Sequence, residues 1–264
     1  MAVSMEVLAD DLAAETAVLR DVLAPLAEAD WRRPTPAAGW SVTDQVSHLA
    51  YFDDVAVQAA TDPDAFARTV EELVGDGVID PDAIAARYRH LSGAQLLAWF
   101  DRSRAGLLAA FRQLDPAKRV PWFGPSMSAA SSLTARIMET WAHGQDVADA
   151  FGVTREPTDR LRHVAHIGIG ARAYSYQVNG KEPPTTPIRV TLNAPSGAVW
   201  TWGPEDAENT VTGPALDFCL VVTQRRHIDD VSLVVEGPVA AEWMAIAQAF
   251  AGPAGTGRKP GEFA

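Results

Sequence analysis

The sequence predicts an α+β protein: a four-helix bundle over residues 1–155, then a small α/β domain over residues 156–264. Three observations carry that reading. Apolar side chains recur at three-to-four spacing through four long segments of the N-terminal part, the pattern of amphipathic helices in a bundle. Further on the pattern changes to short runs, "IRVTLN", "AVWTW", "ENTVTG" and "DDVSLVVEG", punctuated by glycine and proline as strands are. A chain of 264 residues with 47% apolar and 21% charged content is ordinary for a globular protein, and long enough for one large core or two modest ones.

The elements follow in order. Val7, Leu8, Leu12, Val18, Leu19, Val22, Leu23 and Leu26 share one stripe, so residues 4–29 read as the first helix. "WRRPTPAAGW" (31–40) breaks it with two prolines and a glycine. Ser41 reads as an N-cap with Asp44 as its box partner, opening a helix to about residue 60. The acidic stretch "TDPDAFARTVEELVGDGVIDPD" reads as a loop with a short helix. Residues 83–115 form the third helical region, broken near Ser92 and Gly93, and Pro116, Pro121 and Pro125 mark the next loop. The fourth helix runs from about Ser128 to Phe151 and stops at Gly152. Residues 158–180 read as a fifth helix, "IRVTLN" and "AVWTW" as a hairpin, and "ENTVTG" as a third strand. Pro214 suits the first turn of a helix through Arg226; "DDVSLVVEG" then returns to strand and "PVAAEWMAIAQAF" closes with a helix.

Composition also excludes. A net charge of −12 argues against nucleic acid, which calls for a basic surface, and gives no attraction to anionic lipid. No run reaches the roughly 18 apolar residues of a membrane span, and the acidic N-terminus is unlike a signal peptide. Cys219 is the one cysteine, so no intrachain disulfide forms and a reducing cytoplasm is the expected home. No Walker loop, dinucleotide fingerprint or nucleophile elbow is present.

Chemistry concentrates in "METWAHGQD" (138–146). Glu139 and His143, four apart, share one helix face with Cβ atoms about 5–6 Å apart, so they can converge on one ion. Such a pair also makes an ordinary solvated contact, but the flanking residues are of buried type, and a buried carboxylate needs a partner. Asp146 lies along the same face and is a candidate supporting group. On the second helix His48 shares a face with Phe52 and Val55 and should point inward, as a core histidine or as a ligand. His48, Glu139 and His143 together supply two imidazoles and a carboxylate, the ligand set of an open catalytic zinc site. His/carboxylate sites also accept other divalent ions. His163 and His166 are i,i+3 on the fifth helix and read as packing or surface residues, and Cys219, in "DFCLVV", as an inert core thiol.

"PAAGWSVTDQVSHLAYFD" followed some ninety residues later by "METWAHGQDVADAFG" resembles the mycothiol-dependent maleylpyruvate isomerase family, one of the DinB-like metal-binding four-helix bundles. "VTGPALDFCLVVTQRRHIDDVSLVVEG" resembles that family's C-terminal α/β unit more loosely, and the distinctive helix at 158–180 points to a separate branch. The resemblance implies a divalent metal, usually zinc, on His48, Glu139 and His143, and mycothiol as co-substrate. It implies that Arg225 or Arg226 holds an acidic substrate, although both also suit the end of a helix. A zinc ion with an open position would favour a thiolate, which attacks a small electrophile in an isomerase or S-transferase reaction. Zinc-bound water in a hydrolase, and a non-catalytic metal-stabilised ligand-binding module, are the competing readings. Neither a catalytic residue nor the choice between monomer and homodimer is written in the sequence.

Overall fold

The computed structural model describes residues 4–74 and 79–263. The chain divides into two compact units, Met1–Arg155 and Glu156–Ala264. The first is helical, the second a mixed α/β unit.

Four long helices build the first unit: α1 (Met5–Leu23), α2 (Val42–Thr61), α5 (Gly93–Arg112) and α6 (Ala129–Phe151). α2 packs on α5 and α6, and α1 on the same two, so the four close into a bundle. Two apolar clusters fill it. One gathers Leu8, Leu12, Val55, Leu107, Phe111, Leu133 and Ile137; the other gathers Leu19, Leu23, Val46, Leu49, Leu96, Phe100 and Val147.

Local chemistry sets the helix ends. α1 stops at Leu23 rather than near residue 29, because Pro25 has no backbone N–H with which to continue the helical ladder; Glu28–Arg32 forms a separate 3-10 turn that buries Trp31. At α2 the Asp44 carboxylate accepts from the Ser41 backbone N–H at 2.8 Å and its hydroxyl at 2.7 Å. The acidic stretch is more helical than expected, holding α3 (Pro63–Val74) and α4 (Pro81–Ala86); residues 75–78 of that stretch lie outside the described residues. The third helical region is interrupted where the sequence indicated, with Ser92 capping α5 and Gln95 as its box partner. The proline-marked loop holds a hairpin the sequence reading lacked, β1 (Arg119–Val120) against β2 (Met127–Ser128). α6 begins at its Ser128 cap and ends on Gly152 with φ 64°.

Gly93 is demanded by packing. A Cβ there would sit 2.2 Å from Nε1 of Trp31, whose ring is buried. Gly93→Ala is expected to destabilise the protein by about 1–3 kcal/mol, lowering Tm by several degrees in a thermal melt.

The second unit carries α7 (Leu161–Gly170), α8 (Arg172–Val178), β3 (Ile188–Asn193), β4 (Val199–Trp202), β5 (Asn209–Pro214), α9 (Ala215–Val222), β6 (Val234–Glu236) and α10 (Pro238–Ile246). Strand order is β4-β3-β5-β6; β3 pairs antiparallel with β4 and parallel with β5, and β6 is antiparallel to β5. Two expectations are corrected. The fifth helix is two helices, interrupted at Ala171. α9 ends at Val222, short of Arg226, and starts after Pro214, which stands at the cap. Gln224 turns left-handed (φ 59°), and the backbone N–H groups of Arg225 and Arg226 fold back onto the Leu220 carbonyl. Among the described residues no helix is long and apolar enough to cross a membrane.

Candidate metal centre

α2 and α6 lie side by side in the bundle, and this contact brings residues some ninety positions apart to one place. One ring nitrogen each of His48 and His143 and one Glu139 oxygen all lie within 4.8 Å of one another. His48 Nε2 stands 3.3 Å and His143 Nε2 3.2 Å from the same Glu139 Oε2. Tetrahedral zinc with ligands at about 2.0–2.1 Å would hold its donors roughly 3.3 Å apart. The three side chains are only about an eighth to a fifth exposed.

Hydrogen bonding assigns the tautomer of His143. The Gln45 amide donates to Thr35 Oγ1 at 2.9 Å, and that hydroxyl donates to the Trp40 carbonyl at 2.9 Å. The amide oxygen of Gln45 is thereby turned toward His143 Nδ1, which must donate to it. In the neutral ring Nε2 then carries a lone pair facing a carboxylate oxygen. Two acceptors 3.2 Å apart repel unless a cation, a proton or a metal ion, lies between them. A ligand histidine whose second nitrogen donates to a fixed oxygen is the usual arrangement around metals.

Around the donors the wall is aromatic. Trp40 stacks on His143 with centroids 5.7 Å apart and planes 17° apart, and tilts against His48 at 5.4 Å. Phe52 lies 4.7 Å from His48, ring centroid to ring centroid. Asp82 of α4 accepts from the Trp40 indole N–H at 2.6 Å and fixes that ring.

Electrostatics favour the ligand forms. Burial, then the charge of His143, lowers the His48 pKa to about 4, against opposing help from Glu139, so the imidazole is neutral near pH 7. Burial alone would raise the Glu139 carboxyl, but the hydrogen bonds and charges of His143 and His48 outweigh it and hold it well below its ordinary value. Stability of the metal-free protein follows. Between pH 6.5 and about 4 the unfolded chain protonates His48 and the folded chain does not, so stability is lost as pH falls through that window. The carboxylate of Glu139 acts in the same direction below pH 4.5. The His48 contribution is on the order of 3 kcal/mol. Urea unfolding at pH 7 and pH 4 is expected to show it in the wild type and to lose that part in His48→Gln; equal pH dependence in both would sink the assignment.

The other predicted residues are placed as follows. Asp146 is fully buried on α6, but is not among the three converging side chains. Arg225 and Arg226 belong to the second unit, where their guanidinium groups donate to the carbonyls of Thr223 and Arg225 and lie over the rings of Phe250 and Phe263. His166 is exposed and His163 half-buried on α7. Cys219 is fully buried, its thiol pKa pushed up by that burial, in keeping with a core residue. Sequence reasoning missed Gln45, although it lies three before His48 on the same inward face, a spacing that could have flagged it.

Known proteins bear on the fold and the family. Residues 12–148, just over half of the chain, match the family model described as the mycothiol maleylpyruvate isomerase N-terminal domain. A shorter stretch, residues 184–236, matches a model described as wyosine base formation. Two uncharacterized proteins of Mycobacterium tuberculosis, from strains CDC 1551 and H37Rv, are each 45% identical over 248 residues, spanning 94% of this chain and 96% of their own. Crystal structures of the mycothiol-dependent maleylpyruvate isomerase and of a histidine-to-alanine mutant superpose with TM-scores of 0.58 and 0.59, at 18% identity, over 89% of this chain and 97% of theirs. At that identity the likeness is one of fold, an N-terminal helical bundle with a C-terminal α/β region. With that N-terminal family model matching more than half of its length, the chain belongs to the mycothiol maleylpyruvate isomerase family.

Proposed function

We propose that this protein is a zinc- and thiol-dependent isomerase or S-transferase whose metal is held by His48, Glu139 and His143. The observation that carries the reading is the pair of opposed acceptors, His143 Nε2 and Glu139 Oε2, with His48 Nε2 aimed at the same oxygen. The donor set fits a divalent ion of zinc type: two imidazoles and one carboxylate, leaving a position open. Bound there, zinc would supply the positive charge that keeps a sulfur ligand as thiolate near neutral pH.

The chain's own residues do the rest. Gln45 holds the ring of His143 in one tautomer, and Trp40 and Phe52 keep water from the donors. Mycothiol as the thiol is supported by the family description and by the names of the two solved relatives. A small electrophile with an acidic group is the proposed second substrate. Arg225 or Arg226 is the proposed holder of that group on charge alone, and Asp146 is proposed as a supporting group of the centre. A cytoplasmic location, supported by the single cysteine, completes the reading.

The test is to incubate zinc-loaded protein with mycothiol and a panel of electrophilic acids, and separately with esters and amides in the absence of thiol. Thiol-dependent isomerisation or adduct formation is expected. Hydrolysis without thiol would replace this reading with a metal hydrolase, and binding without turnover of either kind would leave a ligand-binding module.

A further inference from the structure

Beneath the centre the bundle carries a buried ionic layer to which each of its four helices contributes one side chain. Asp53 of α2 accepts from Arg104 of α5 at 2.7 Å and from Arg136 of α6 at 3.0 Å. Arg104 also donates to the Thr16 hydroxyl of α1 at 2.6 Å, and Arg136 to the Leu49 carbonyl of α2 at 3.2 Å. Asp53 is fully buried and the two arginines nearly so. On three of the helices the layer falls between the two apolar clusters: Thr16 between Leu12 and Leu19, Asp53 between Ala50 and Val55, and Arg104 between Phe100 and Leu107, while on α6 Arg136 stands beside Ile137 of the first cluster.

Such a layer is a poor way to stabilise a bundle. Removing three charges from water offsets most of what their attraction gains, and apolar side chains of similar volume commonly do as well or better. Here the arrangement is also incomplete. Nη2 of Arg104 is buried with no hydrogen-bond partner among the described residues, and burial lowers the pKa of this guanidinium. What the layer does supply is register. Arg136 stands one turn before Glu139, and its two contacts on α2, the Leu49 carbonyl and the Asp53 carboxylate, both follow His48, the first as its immediate neighbour in the chain. A one-turn slip of α6 along α2 would break both bonds and carry Glu139 and His143 about 5.4 Å away from His48.

We infer that Asp53, Arg104 and Arg136 are positioning residues: their buried network locks α2 against α6 in the one register at which His48, Glu139 and His143 converge. The inference rests on the metal reading above. It predicts that specificity of geometry and stability come apart.

The experiment uses the full chain and two variants, Asp53→Leu/Arg104→Met/Arg136→Met and the conservative Arg136→Lys, which keeps the charge but not the two-pronged reach. Each is titrated with Co²⁺ and Zn²⁺, with visible absorption of the Co²⁺ form and a thermal melt recorded in parallel. Thr16 retains its bond to the Leu12 carbonyl in the triple variant, so its buried hydroxyl is not left unpaired. The expected result is a triple variant with Tm equal to or above wild type, metal affinity at least tenfold weaker in both variants, and altered Co²⁺ bands. Unchanged affinity and spectrum in either variant, or a triple variant that fails to fold, overturns the inference while leaving the metal reading intact. Absence of metal binding by the wild type overturns both.

Discussion

Replacing His143 by alanine is expected to weaken divalent-metal binding by about 100-fold or more, and His48→Ala to do the same. Even a residue that only orients a ligand typically contributes 10–100-fold in metal affinity, and these two would be ligands themselves. A 100-fold loss corresponds to about 2.7 kcal/mol. The protein should survive both changes, because each side chain retains some exposure and neither joins the ionic layer or the two apolar clusters. Losing the imidazole that stacks on Trp40 removes an aromatic contact of roughly 1 kcal/mol. Asp146→Asn, by contrast, should change affinity by no more than about 10-fold, because its side chain is not one of the converging donors. Dialysis against zinc followed by metal analysis reads all three. Full retention of metal in the histidine variants would remove them from the site.

The second large effect concerns the thiol. Chelating the metal is expected to lower thiol-dependent turnover by about 10³-fold at pH 7 and to restore it on adding back one equivalent of zinc. An ordinary thiol has a pKa near 8.5, so only a few per cent is thiolate at neutral pH, and stabilising the thiolate form is part of what loading contributes. The remainder comes from holding thiol and electrophile together. Steady-state rates with mycothiol, before and after chelation and at pH 6 to 9, check the point. Turnover that persists in stripped protein would show that the thiol reacts without this centre.

Much of the centre is legible in the sequence because helices repeat. Four-residue spacing puts Glu139 and His143 on one face wherever α6 packs, and the stripe through Phe52 and Val55 turns His48 inward. That α2 and α6 are neighbours is not legible, since it depends on tertiary packing across some ninety residues. The ionic layer escapes for a related reason: Asp53, Arg104 and Arg136 read as ordinary charged residues until their helices meet. The cap at Ser41, the break near Ser92 and the stop at Gly152 follow from side-chain and backbone chemistry within a few residues, and are read correctly. The short β1–β2 hairpin and the break at Ala171 carry no comparable local signal. Alternation marks β3, β4 and β5 as strands, yet the parallel pairing of β3 with β5 belongs to the sheet as a whole.

The central claim is that one divalent ion sits between α2 and α6. X-ray absorption at the zinc edge of the loaded wild-type protein addresses it most directly. The account predicts one zinc per chain with two imidazole nitrogens and one carboxylate oxygen in its coordination sphere, and a sulfur neighbour appearing when thiol is added. A loaded protein whose zinc has no imidazole ligand, or a protein that retains no zinc at all, would contradict it.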